Sequence, residues 1–194
     1  MGMDFNLIKQ YAAEITISDD LLEIGSDRWE GSTLVLSDIA FANQKILHSV
    51  DIDDELIHRN SKQYQGKAVN FYNIKGEDFL DEHTDLKFSI VLLDNFDWDW
   101  WTEQTPPDFL KEQQDMYISK FHVDMTNTNS QIAHLVQAIK LTNMLAKQCI
   151  IVCDDTFINR NQTYDGKSGA AVPYLLTLGF TPYVVPAGVI LVRK

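Results

Sequence analysis

The sequence predicts a doubly wound α/β fold: a mostly parallel seven-stranded sheet, helices on both faces, and an antiparallel hairpin at the C-terminus. Three observations carry this. Short apolar runs alternate with segments of helical periodicity, the pattern of successive βα units. Phe88-Ser89-Ile90-Val91-Leu92-Leu93 is almost unbroken apolar sequence, as a strand covered on both faces must be. The last two apolar runs, Phe180 to Val185 and Val189 to Val192, are separated only by Pro186-Ala187-Gly188, too short for a parallel crossover.

Taken in order, residues 4–16 place Phe5, Ile8, Tyr11, Ala12 and Ile15 at helical spacing, a leading amphipathic helix within residues 1–17. Ser18-Asp19-Asp20 breaks it, and Leu21-Leu22-Glu23-Ile24 begins the sheet. Gly25, a polar turn and Gly31-Ser32-Thr33 then lead into a helix that runs to Phe41. This is a first βα unit: its glycines let a ligand approach the backbone, and its helix start presents free N–H groups. Lys45 to Asp51 is the second strand. Asp53-Asp54-Glu55 opens the next helix with acids in its first turn, as the helix dipole favours. Ala68–Tyr72 is the third strand and Gly76-Glu77-Asp78-Phe79-Leu80 enters a short helix. Residues 95–127, with Trp98, Trp100, Trp101 and Pro106-Pro107, are expected to form an irregular insert on the substrate side, the tryptophans packing a lid or a subunit contact. Ile132 to Leu145 is a long amphipathic helix and Gln148 to Cys153 the fifth strand. A polar loop reaches Gly169, and a helix covers about 170–178. No repeat, low-complexity tract or linker interrupts the pattern, so residues 1–194 are expected to form one domain.

Composition narrows the function. Hydrophobic content of 45% and charged content of 23% are ordinary globular values. A net charge of −12 argues against a nucleic-acid partner, which calls for a basic face. No apolar run is long enough to span a membrane, and MGMDFNLIKQ lacks the zones of a secretory signal. Cys149 and Cys153, four apart in a strand, are separated by roughly 13 Å, too far for a disulfide. They fit buried thiols of a cytoplasmic protein.

The placement of carboxylates is the strongest functional signal. In open α/β sheets ligands bind outside the carboxyl ends of the strands. Glu23, Asp51, Asp94 and the pair Asp154-Asp155 stand at or just beyond four of the first five strand ends, and Glu77-Asp78 follows the remaining one. Acids at strand ends also serve as caps and turn formers, which explains one or two but not a whole rim. Asp51, twenty residues past Gly31, is placed to accept both hydroxyls of a ribose. Asp94, Asp154 and Asp155 converge if the fourth and fifth strands are neighbours; three hard oxygens suit Mg²⁺ or Mn²⁺ rather than Zn²⁺. Without a cation they would repel one another.

Other chemistries fail on spacing. The loop is not G-x-G-x-x-G. Gly166-Lys167-Ser168 resembles the tail of a P-loop, but Asn161 stands where a glycine is required. The histidines form no ligand pair, His48 reads as a strand residue, and there is no G-x-S-x-G elbow.

Over roughly residues 20–193 the chain resembles the class I S-adenosylmethionine-dependent methyltransferases, a Rossmann-like superfamily, and within it the small metal-dependent O-methyltransferases of the macrocin and catechol type. Leu22-Glu23-Ile24-Gly25 with Gly31-Ser32 is similar to the first motif, and Val50-Asp51-Ile52-Asp53 to the second. Gly76-Glu77-Asp78-Phe79-Leu80 resembles the segment that meets the adenine. Gly166 to Tyr174 resembles the approach to the helix after the fifth strand.

The resemblance implies S-adenosylmethionine as cofactor, held by Glu23, Gly25, Ser26, Gly31, Ser32, Asp51, Ile52, Glu77, Asp78 and Asp94. It implies Mg²⁺ (or Mn²⁺) on Asp94, Asp154 and Asp155, and a small-molecule acceptor methylated on a hydroxyl. Two departures stand out: Asp27-Arg28-Trp29 replaces the central glycine of the first motif, and Asn95-Phe96-Asp97 lacks the usual base, leaving Asp97 as its substitute. A homodimer is compatible with these features. The competing expectations are a non-catalytic binding module on the same fold and a nucleotide-dependent oxidoreductase.

Overall fold

In the computed structural model, which describes residues 3–98 and 107–194, the chain runs through α1 (Leu7–Ala12), β1 (Asp20–Ile24), α2 (Ser32–Ala42), β2 (Leu47–Asp51), α3 (Asp54–Gln63), β3 (Val69–Asn73), α4 (Gly76–Glu82) and β4 (Phe88–Leu93). It continues through α5 (Pro107–Met116), α6 (Asn127–Leu141), β5 (Leu145–Asp154), β6 (Thr156–Ile158), β7 (Tyr164–Gly166), α7 (Ala171–Thr177), β8 (Thr181–Val185) and β9 (Gly188–Arg193). Seven strands form one sheet in the order β3-β2-β1-β4-β5-β9-β8. β1 to β5 are parallel, whereas β9 runs antiparallel to both β5 and β8. This is the predicted doubly wound sheet with its terminal hairpin.

Alternation along the strands serves two buried layers. Leu22, Ile24, Val91, Leu93, Ile151 and Cys153 face one layer, closed by Phe79 and Leu80 of α4, Ala138 and Leu141 of α6, and Val172 and Leu175 of α7. Leu21, Ile90, Leu92, Ile150 and Val152 face the other, closed by Ile8 of α1 and by Val35, Leu36, Ile39 and Ala40 of α2. Both faces of the central strands are therefore apolar, which is why β4 reads as continuous hydrophobic sequence. Cys149 and Cys153 are free and buried.

Several boundaries differ from expectation. The leading helix spans only Leu7–Ala12, because the chain turns through Glu14 N–Tyr11 O and Ile15 N–Ala12 O bonds instead of extending it. β5 begins at Leu145, not Gln148, since Leu145 already pairs with Phe88. The polar stretch before Gly169 contains the β6–β7 hairpin. The segment 95–127 is not irregular throughout: Pro107 opens helix α5, a first-turn position that suits proline, and Tyr117–Phe121 form one π-helical turn. Trp100, Trp101 and Pro106 lie outside the described residues.

Candidate active site

The chain leaves β1 toward β2 on one side of the sheet and returns through β4 on the other, so a crevice opens beyond their carboxyl ends. Gly25 sits in that gap at φ +96°, and a Cβ there would lie 2.5 Å from Asn95 N. Only glycine lets the first loop pass this close to the segment after β4. A cavity of about 1000 Å³ lies above it.

One end of the cavity is walled by Gly25, Ser26, Asp51, Ile52 and Glu77. Asp51 accepts Ser26 N–H at 3.0 Å through one oxygen and Asp53 N–H at 2.8 Å through the other. Burial raises its pKa in spite of these bonds and of nearby Arg28. An ionised carboxylate has about four lone-pair sites, so two remain for hydroxyl donors. Glu77 accepts Gln137 Nε2–H at 2.9 Å from α6.

Glu23, Gly31, Ser32 and Asp78 do not line the cavity. Glu23 is fully buried and accepts Ser32, Thr33 and Ser49 hydroxyls, each at 2.6 Å. It ties β1 to the start of α2 and to β2. Burial pushes its carboxyl up to about 7, although the hydroxyls pull the other way. Gly31 caps α2 at φ +87°, its N–H bonded to Asp27 Oδ1 at 2.9 Å.

The bulk that replaces the central glycine is turned away or put to use. Asp27 faces inward and also accepts Tyr64 O–H at 3.1 Å. Trp29 lies 81% exposed under the Arg59 guanidinium. Arg28 enters the cavity wall and donates to both oxygens of Asp97, at 3.1 and 3.2 Å.

Asp97 also accepts Tyr117 O–H at 2.8 Å. Burial would raise its pKa, but Arg28, Lys167 and Tyr117 outweigh burial and hold it below the usual carboxylate range. Both oxygens of the Asp97 carboxylate are thus engaged, and its ionised form is stabilised.

The other end of the cavity carries the acid cluster. Asp94, Asp154 and Asp155 each offer an oxygen within 4.8 Å of the others. Lys167 lies among them: its Nζ donates to Asp94 Oδ1 at 2.8 Å and pairs with Asp155 Oδ2 at 3.1 Å, with the side chain 6% exposed. Burial alone would lower the lysine pKa, but Asp94 and Asp155 raise it above the ordinary value, so it stays an ammonium. Asp154 is pushed up to about 8 by burial and then by Asp94 and Asp155, and its buried Oδ1 has no hydrogen-bond partner. With an ammonium on two of the three acids, the cluster as it stands does not fit a divalent ion, for which the sequence had offered all three as ligands.

Three residues of the site carried little sequence signal. Arg28 looked like bulk and Tyr117 lay in a stretch without pattern. Lys167 reads in the sequence as the tail of a phosphate loop, although a lysine twelve residues past an aspartate pair in a Gly-flanked turn is a candidate for their counter-ion.

No protein-family model matches the sequence, and no curated protein matches it. Solved structures do. An rRNA methylase from Streptococcus thermophilus is 12% identical with a TM-score of 0.56, over 100% of this chain and 98% of that one. An SAH-bound methyltransferase from Podospora anserina is 15% identical with a TM-score of 0.54, over 90% of this chain and 71% of the other. The O-methyltransferase NovP is 11% identical with a TM-score of 0.58, over 98% of this chain and 79% of its own. The chain has the fold of the class I S-adenosylmethionine-dependent methyltransferases. No helix among the described residues is long and apolar enough to cross a membrane.

Proposed function

We propose that the chain is an S-adenosylmethionine-dependent methyltransferase acting on a hydroxyl of a small molecule. The observation that carries this reading is one cavity, at the switch point of the sheet, joining a carboxylate suited to a ribose with an acid cluster suited to an acceptor hydroxyl. Gly25, Ser26, Asp51, Ile52 and Glu77 would hold the cofactor, with Asp51 accepting the ribose hydroxyls. Bound there, S-adenosylmethionine supplies an electrophilic methyl group on a sulfonium. The chain's own task is then to orient an oxygen nucleophile and to receive its proton. Asp154, on the cavity wall beside Asp94 and Asp155, is the group we assign to receive it. Asp97 holds Arg28 and Tyr117 in position around the acceptor side.

Some structural neighbours are named as rRNA methylases, which makes RNA the competing acceptor. The charge of −12 and the absence of a basic cluster favour an uncharged or cationic small molecule. Calorimetric titration with S-adenosylmethionine, S-adenosylhomocysteine and NAD⁺ tests the cofactor directly. Asp51→Ala should weaken S-adenosylhomocysteine binding by about 1.5–3 kcal/mol, the scale of hydrogen bonds to a charged group. Unchanged affinity in the folded variant would remove Asp51 from the site, and selective NAD⁺ binding would replace methyl transfer with redox chemistry.

A further inference from the structure

We infer that Lys167 takes the place of a divalent cation in the Asp94–Asp154–Asp155 cluster, so that the methyl transfer proposed above needs no metal. The inference rests on that functional reading for its chemistry but on separate atoms for its geometry. An ammonium has three N–H donors. Three oxygens meet them here: Asp94 Oδ1 at 2.8 Å, Asp155 Oδ2 at 3.1 Å and the Asp94 carbonyl at 3.4 Å. Among the described residues, the ion pairs of Asp94 and Asp155 are with Lys167.

The lysine is delivered by a built structure, not by a chance reach across the cavity. β6 and β7 pair with Thr156 opposite Gly166, which brings the chain back beside Asp155. Lys167 N–H donates to the Asp155 carbonyl at 3.0 Å, and Ser168 N–H to Thr156 Oγ1 at 3.1 Å. Gly166 stands at φ +88°, where a Cβ would lie 2.0 Å from Asp155 O. The hairpin thus closes tightly on the acid pair, and from it the lysine side chain enters the buried cluster.

A second observation points to what the neutralised cluster receives. Asp154 lines the cavity at 6% exposure, and its Oδ1, shielded from solvent, lacks a hydrogen-bond partner. Lys167 engages Asp94 and Asp155 and leaves Asp154 as the acid of the cluster without an ion pair among the described residues. Lys167 is therefore a positioning residue: it holds the acids together and sets their charge, and Asp154 meets the acceptor. A divalent ion on the same oxygens would be packed against the ammonium, and the two cations would repel.

The test uses Mn²⁺ as probe. The wild-type chain with S-adenosylhomocysteine is titrated with Mn²⁺ under electron paramagnetic resonance, and its thermal unfolding is compared in EDTA and in millimolar Mg²⁺. The expected result is no stoichiometric Mn²⁺ and the same melting temperature in both. Lys167→Met, which removes the charge but keeps the length, should bind Mn²⁺ at least tenfold more tightly than wild type and melt higher with metal than with EDTA. One Mn²⁺ bound per wild-type chain at micromolar concentration would overturn the inference, as would a folded Lys167→Met variant that binds metal no better than wild type. Should that variant not fold, the wild-type titration decides alone. S-adenosylhomocysteine binding, measured in EDTA, keeps the two readings apart. Its absence removes the methyl-transfer reading, whereas its presence together with a stoichiometric Mn²⁺ removes only the lysine.

Discussion

The two ends of the cavity are built by different means. At the β1 end, backbone and short polar side chains close a local web: Glu23 gathers three hydroxyls, and Asp27 holds both Gly31 N–H and Tyr64 O–H. Most of that web lies within one βα unit and the strand beside it. The acceptor end is assembled from distant pieces. Arg28 reaches across 69 residues to Asp97. Tyr117, Phe121 and Met125 form a small apolar cluster apart from the two main layers. The first end follows from turn and helix-start rules, while the second exists only once the sheet has brought its parts together.

That contrast can be broken by substitution, and the largest effect should come from the glycines. Gly25→Ala meets both a left-handed backbone and a clash with Asn95 N, and is expected to cost roughly 2–6 kcal/mol. Gly31→Ala has the same sign of φ but open space around its Cβ, so about 1–2 kcal/mol is expected. Urea unfolding of both variants measures the difference. Equal losses would mean that close approach to β4 is not what Gly25 provides.

Glu23 gives the next effect, and its sign follows from the raised pKa. The folded state holds the proton up to about 7, the unfolded chain only to its ordinary value near 4.5. The contribution is fully present below the lower value and is lost as pH rises toward 7, on the order of 3 kcal/mol across that window. Glu23→Gln should therefore flatten stability between those limits. A pH profile with unaltered slope would show that another group titrates there. A smaller effect than that of Gly25 is expected at the acceptor end. Tyr117→Phe removes two hydrogen bonds with Asp97, one donated to Oδ2 and one accepted from its N–H, and should cost about 1–3 kcal/mol in unfolding while leaving S-adenosylhomocysteine affinity unchanged. A loss of that affinity would show that the two ends are coupled through Arg28.

The sheet was legible because its signals are local: alternation, an unbroken apolar strand, a three-residue link before the last strand. The gathering of Asp94, Asp154 and Asp155 was legible too, since each acid stands at or just beyond a strand end and the sheet fixes where strands end. The counter-ion was not. Lys167 owes its place to pairing between Thr156–Ile158 and Tyr164–Gly166, in a stretch so polar that it reads as loop. Glu23 was placed on the rim because it is the last acid before the glycine, yet alternation turns its side chain inward to the hydroxyls of α2. Residues 107–121 hid a helix because the paired prolines and the tryptophans before them in sequence mask its start.

The β6–β7 hairpin also sets when the rim becomes whole. A dissolved ion occupies a site according to its concentration, but a side chain has an occupancy fixed by the chain itself and arrives only when its segment folds. Without Gly166 opposite Thr156, the three acids would lack the ammonium that Lys167 brings to them. Closing a hairpin of two three-residue strands thus also balances the charge of a rim whose acids the β4–β5 pairing brings together.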